Sequence, residues 1–302
     1  MAPKRELGGV GRASRSQDSP APKTKTEEGP ADKQAKPEKG PAAKQTKTAI
    51  GAKQTKQAKK TTAPPALGKL SYFPVYAKGL QLALIAEESG LLWSGQTLTD
   101  SPDGSVWPDG WPALKASGKC PFGQMPILET AEGVVIGQSL AIANFMGRKG
   151  DMFGSGDADF AKSQMCFAEG EDIYALLLGA GLQRWQSAEA RGAKAADQAE
   201  LFAELLPAHV AYLEALCSAG GGFTSTGATC GELYLVGMLL QVTLAAPAGG
   251  AILDAHPKLK AWFTTTMARP AVKSVLEGKS AIGKMDVYFV TDKEFATIKA
   301  AA

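Results

Sequence analysis

The stretch Phe122-Gly-Gln-Met-Pro-Ile-Leu-Glu129 is followed nine residues later by Gln138-Ser-Leu-Ala-Ile-Ala143. An apolar run interrupted by Pro126 is a poor central strand, because proline donates no ladder hydrogen bond. It reads as a turn leading into a strand, and the X-Pro bond there is a natural place for a cis peptide. Such a bend leaves the backbone N–H and C=O of Met125 free to pair with an extended peptide, as a neighbouring strand would. Gln138 and Ser139 open an apolar-periodic helix, where unpaired N–H groups and the helix dipole favour an anion. A strand-like edge beside a carboxylate site is an arrangement for binding a peptide.

Outward from this pair, residues 70–75 read as a short strand and 80–88 as a helix, with Leu80 and Leu84 on one stripe. Residues 93–118 read as irregular, broken by Pro102, Pro108 and Pro112, with a second strand placed near 96–99. Residues 125–129 and 133–136 form a hairpin through the turn Thr130-Ala-Glu-Gly133. A helix over 139–148 completes a strand–helix–strand–strand–strand–helix order, which is a thioredoxin-like outline. Helices dominate from Asp157 onward, and only 287–290 reads as a late strand.

Residues 1–66 contain no Phe, Trp or Tyr, and the first aromatic residue of the chain is Tyr72. They carry 15 Lys and Arg against 6 Asp and Glu, a net of +9, while the other 236 residues carry 18 against 24, a net of −6. The overall +3 conceals this asymmetry. A charged segment without large apolar side chains cannot offset its conformational entropy by burial, so 1–66 reads as a disordered Lys/Ala/Pro-rich tail. Its repeat, Ala43-Lys-Gln-Thr-Lys47 and again Ala52-Lys-Gln-Thr-Lys56, is low complexity. No apolar run approaches the ~20 residues of a membrane span, and no hydrophobic leader is visible. Four cysteines without Cys-x-x-Cys pairing suit free thiols in a reducing compartment, so the expected location is cytoplasmic. The two histidines, His209 and His256, lie far apart with no ligand-spaced partners, so no metal site is expected.

The cis-Pro strand and the Gln138-Ser139 helix together resemble the glutathione-binding half of the glutathione S-transferases. Lys69-Leu-Ser-Tyr-Phe73 is similar to that family's first strand, which ends in the catalytic Tyr in tyrosine-type classes. Trp111-Pro-Ala-Leu-Lys115 resembles the sigma class in particular. His256-Pro-Lys-Leu-Lys-Ala-Trp262 and Ala268-Arg-Pro-Ala-Val-Lys273 resemble the last helices of the family's helical domain. The resemblance covers roughly 69 to 280, in the right order. It implies the glutathione transferase fold: an α/β thioredoxin-like N-terminal domain at 67–147, a linker at 148–156 and an all-α C-terminal domain at 157–284. An extension at 285–302 follows, and the disordered basic tail precedes.

The resemblance also implies roles. Tyr72 would donate its O–H to the sulfur of glutathione, favouring thiolate over thiol. Gln138 and Ser139 would hold the γ-glutamyl end, and Met125, beside Gln124 and Pro126, would pair with the peptide backbone. Trp111 and Lys115 would grip the peptide and its glycine carboxylate. Lys78 falls where many sigma-like relatives carry Arg and keeps the charge without the planar fork. By residues alone, Tyr72 reads first as a packed strand-end Tyr with its hydroxyl in water, and Ser139 as a plain N-cap. A hydrophobic electrophile would sit between the domains near Phe73, Tyr76, Met165 and Phe167. A homodimer is implied as well.

Three other motifs carry less. Cys120-Pro-Phe122 matches the nucleophile motif of the omega class, but lies about fifty residues too late and gains no helix N-terminus to lower its pKa. Thr229-Cys-Gly-Glu232 has the capping-box form and reads as a folding element. Glu169 and Asp172 read as a solvated helix face. The alternative to an enzyme is a non-catalytic docking module of a translation-type or RNA-associated assembly, with the basic tail contacting a polyanion.

Overall fold

The computed structural model describes residues 64–98 and 110–301. The tail expected over 1–66 lies almost wholly outside the described residues.

Strand β1 (Ala66–Tyr72) is central, because Leu70 and Tyr72 alternate onto a buried face while Lys69 and Ser71 turn the other way. It pairs in parallel with β2 (Leu92–Thr97) through helix α1 (Gly79–Glu88), and antiparallel with β3 (Ile127–Thr130). β3 turns back through Gly133 N–H to Thr130 C=O at 2.9 Å and pairs with β4 (Val135–Gly137). The sheet order is therefore β2-β1-β3-β4, and α3 (Ser139–Lys149) follows directly. The short α2 (Trp111–Ala116) lies between β2 and β3 in sequence.

Several boundaries differ from the sequence reading. β1 stops at Tyr72, and Val75 makes only an isolated bridge to Asp286. β2 begins at Leu92, four residues before the expected 96. Trp111–Ala116 is helical where the prolines suggested irregular chain; Pro112 sits in the first turn, where its missing N–H costs nothing. No strand forms at 287–290. That segment instead crosses back over the fold, with Arg184 N–H on Tyr288 C=O at 2.9 Å and Val290 N–H on Leu182 C=O at 3.1 Å.

The helices are α4 (Gly156–Gly179), α5 (Ala188–Gly192), α6 (Ala195–Glu200), α7 (Leu206–Leu216), α8 (Cys230–Ala245), α9 (Pro257–Met267), α10 (Pro270–Leu276) and α11 (Asp292–Ala301). One apolar core runs from the sheet through α1 into α4 and α8. Both α1 and α8 are apolar almost all round, as helices enclosed by protein must be. Where α1 meets α8, buried Gln241 donates to Ala77 C=O at 3.0 Å.

The expected capping box is present at Thr229 and Glu232. Glu232 is fully buried, and its carboxylate also accepts Phe223 N–H at 2.7 Å and the Thr224 hydroxyl at 2.6 Å. A buried charge needs such donors. Gly231 has a reason of its own, since a Cβ there would lie 1.9 Å from Ser163 O on α4. Only glycine lets the start of α8 press so closely against α4, and its N–H bonds Ser163 Oγ at 3.0 Å. Among the described residues, no helix is long and apolar enough to cross a membrane.

Candidate active site

The Met125–Pro126 peptide is cis. Pro126 is buried and Met125 half-buried just ahead of β3. Among the described residues, neither the N–H nor the C=O of Met125 has a backbone partner. Beyond the turn from β4, Gln138 stands at the start of α3 with φ +71° and ψ 121°. A non-glycine residue held there is strained, and such strain gathers where surroundings impose a special geometry. Gln138 is exposed, as is Gln124, and Ser139 is half-buried.

Tyr72 ends β1 on the face covered by α1 and is 5 % exposed. Its hydroxyl accepts the main-chain N–H of Lys78 at 3.2 Å. Gly79 permits this seat, because a Cβ there would lie 2.3 Å from the Tyr72 ring. Burial holds the phenol well above the ordinary tyrosine value, so it stays protonated. Among the described residues the phenolic O–H has no acceptor of its own, which leaves it able to donate. Ser71, the other hydroxyl on this strand, faces the opposite side of the sheet in a cavity with Lys69, Gln96 and Glu129.

Lys78 is engaged inward. Its ammonium pairs with Glu171 of α4 at 2.5 Å and lies 3.7 Å from the centre of the Tyr174 ring. Burial pulls its pKa down, and Glu171 pulls it back up. The Tyr234 hydroxyl of α8 also donates to Glu171 and lies 3.4 Å from Ser139 Oγ. Sequence reasoning missed Glu171, Tyr174 and Tyr234. The two acids it singled out are elsewhere: Glu169 pairs with His209 at 2.7 Å, and Asp172 is exposed.

An aromatic wall stands beside Tyr72. Phe73 meets Trp111 edge-on at 5.8 Å and Trp185 at 6.5 Å, and Trp185 meets Tyr288 at 5.3 Å. Exposed Lys115 holds its ammonium 5.7 Å from the Trp111 ring. Tyr76 joins the same region, its N–H bonded to Asp286 C=O at 2.9 Å. Two residues expected near Phe73 are not there. Phe167 is a core residue packed on Tyr234 at 5.3 Å, and Met165 lines a separate apolar cavity of about 250 Å³ with Tyr212 and Leu216. Cys120 is buried, and burial pushes its thiol pKa up, the opposite of what a nucleophile needs. All four cysteines are free.

The chain is similar to known proteins in the same terms. Residues 182–279 match the family model for the glutathione S-transferase C-terminal domain. Glutathione S-transferase 1 of Ascaris suum is 33% identical over 109 residues, which are 36% of this chain and 48% of that protein. The chain thus spans about half the length of this curated relative. Two solved structures share the fold. Prostaglandin synthase D of Nilaparvata lugens superposes with a TM-score of 0.55 at 22% identity, covering 70% of this chain and 98% of that one. The glutathione S-transferase of Ascaris lumbricoides gives 0.54 at 24%, covering 71% and 98%. Residues 182–279 thus match a glutathione S-transferase C-terminal domain, and about 70% of the chain shares the fold of the two solved structures.

Proposed function

We propose that the protein is a sigma-like glutathione S-transferase that joins the glutathione thiolate to electrophilic small molecules, and that it works as a cytoplasmic homodimer. The carrying observation is the Tyr72 hydroxyl, buried, protonated and fixed by Lys78 N–H at 3.2 Å, with its own proton uncommitted. In this reading Met125 pairs with the tripeptide backbone, flanked by Gln124 and Pro126. Gln138 and Ser139 take the γ-glutamyl end, and Trp111 and Lys115 take the glycine end. Lys78 acts from beneath, through its amide, since its ammonium is given to Glu171.

The chemistry is then simple. The bound thiol releases its proton to solvent, and the Tyr72 O–H hydrogen-bonds the resulting thiolate, lowering its pKa. The sulfur lone pair attacks the electrophilic carbon, a C–S bond forms, and the leaving group departs with its electron pair. Tyr72 remains a phenol throughout. Phe73, Trp111, Trp185 and Tyr288 offer apolar edges to the electrophile, a role that suits detoxification. The test is retention on immobilised glutathione together with conjugation of a chlorodinitrobenzene acceptor. A protein that does neither is not this enzyme.

The net +9 of residues 1–66 favours a second reading, a docking module whose tail contacts a polyanion. Retention on glutathione separates the two, since a docking unit has no need of it.

A further inference from the structure

Glu171 belongs to neither the peptide-binding residues nor the core, yet it is bonded to both ends of the site. On one side it accepts the Lys78 ammonium at 2.5 Å. Lys78 stands at the N-cap of α1, and its own amide points at the Tyr72 hydroxyl. On the other side Glu171 accepts the Tyr234 hydroxyl, whose oxygen lies 3.4 Å from Ser139 Oγ. A phenol has one proton; the Tyr234 O–H is directed at both Glu171 and Ser139 Oγ, and the shorter contact to the carboxylate holds it. The Lys78 side chain is 13% exposed and that of Glu171 32%. Tyr174, whose ring lies under the ammonium, contributes no countercharge. The carboxylate is thus the counter-ion that lets a largely buried lysine stay charged where it is.

We propose that Glu171 is a positioning residue for both ends of the tripeptide site: it fixes Lys78, and so the amide that orients Tyr72, and through Tyr234 it orients Ser139. This rests on the reading above that Tyr72 and Ser139 hold glutathione. Glu171 touches neither ligand nor reacting sulfur. It acts by deciding where two other residues point. Replacing the charge with an amide removes the counter-ion of Lys78. It also introduces an N–H that can donate to Tyr234, freeing that phenol's proton to turn toward Ser139.

The test uses the full chain as wild type, Glu171→Gln, Glu171→Asp and Tyr234→Phe. Thermal melts check the fold, calorimetry measures S-methylglutathione binding, and the thiolate's ultraviolet absorbance reports the bound glutathione pKa. S-methylglutathione has no titrating thiol, so its affinity reports positioning alone. Glu171→Gln is expected to weaken its binding about tenfold and to raise the bound thiol's pKa by about one unit. Tyr234→Phe is expected to weaken binding about threefold while leaving the titration in place, because Lys78 keeps its partner. Glu171→Asp is expected to recover most of the titration shift. A folded Glu171→Gln that binds and titrates as wild type overturns the proposal. So does a lowered melting temperature with binding and titration intact, which makes Glu171 structural only. If Glu171→Gln does not fold, wild-type affinity in Tyr234→Phe overturns the Ser139 half. A wild type that binds no S-methylglutathione fails the underlying site reading, and the proposal falls with it.

Discussion

The main-chain N–H of Lys78 donates to the Tyr72 hydroxyl at 3.2 Å, across the turn between β1 and α1. A strand end and a helix start, six residues apart, thereby hold one phenol whose oxygen is already an acceptor. What remains to that hydroxyl is to donate.

Alkaline pH should unfold the protein through its buried phenols. Burial raises the pKa values of Tyr72, Tyr174 and Tyr234 above the ordinary 10.0. A group whose folded pKa is raised contributes stability that is complete below its unfolded pKa and is lost above it. Melting temperature is therefore expected to be unaffected by these three below about pH 9 and to fall above about pH 10. Absorbance at the tyrosinate band checks this: ionisation of these phenols is expected to coincide with unfolding, not precede it.

Gly231→Ala should destabilise although alanine favours helices. The propensity gain is at most ~1 kcal/mol. The new methyl would lie 1.9 Å from Ser163 O, a backbone atom that cannot step aside alone. Overpacking of this kind costs about 1–3 kcal/mol, so the net is a loss, readable as a lower denaturant midpoint. Gly79→Ala, which presses on the Tyr72 ring, should in addition impair conjugation.

Cys120→Ala should leave conjugation unchanged within about twofold, since a thiol whose pKa is raised supplies little thiolate at neutral pH. Initial rates over a range of pH check it. A large loss would make Cys120 the nucleophile.

The bend at Pro126 and the helix at Ser139 were legible because each is written locally, in a proline and in a helix start. Tyr72 was legible only through the resemblance of Lys69-Leu-Ser-Tyr-Phe73 to a known first strand, since the residues alone carry that strand on to Val75. Glu171 was not, because the inward stripe of α4 hides its register. The buried residues of α4 are Asp159, Ser163, Cys166, Phe167, Gly170, Ile173 and Leu177, so three of the seven are polar or without a side chain. Asp159 is buried to hold the Ser155 and Ser225 amides, and Gly170 makes room for Tyr234. Tertiary fit, not hydrophobic periodicity, chose those residues. Trp185 and Tyr288 were missed for a related reason. They meet only because the 286–290 segment folds back onto Pro74–Tyr76 and Leu182–Arg184, a contact between residues about a hundred or more positions apart.

The tail should act independently of catalysis. Deleting 1–66 removes a net +9 and leaves a net −6. Association with heparin or RNA is expected in the full chain, falling steeply as salt is raised, and is expected to vanish in the shortened one. Conjugation rates should be the same in both. Loss of activity in a folded shortened chain would place part of the site before Leu67.

Titration of bound glutathione in wild type and Tyr72→Phe decides whether Tyr72 ionises the thiol. Ser71 cannot substitute, because it faces the other side of the sheet. Phenylalanine keeps the packed ring, so the fold and binding should survive. The ultraviolet absorbance of the bound thiolate should appear one to two pH units higher in the variant, at ~1.4 kcal/mol per unit. Conjugation at neutral pH should fall about ten- to a hundredfold and recover partly at higher pH. An unchanged titration curve in Tyr72→Phe would mean that Tyr72 does not activate the thiol.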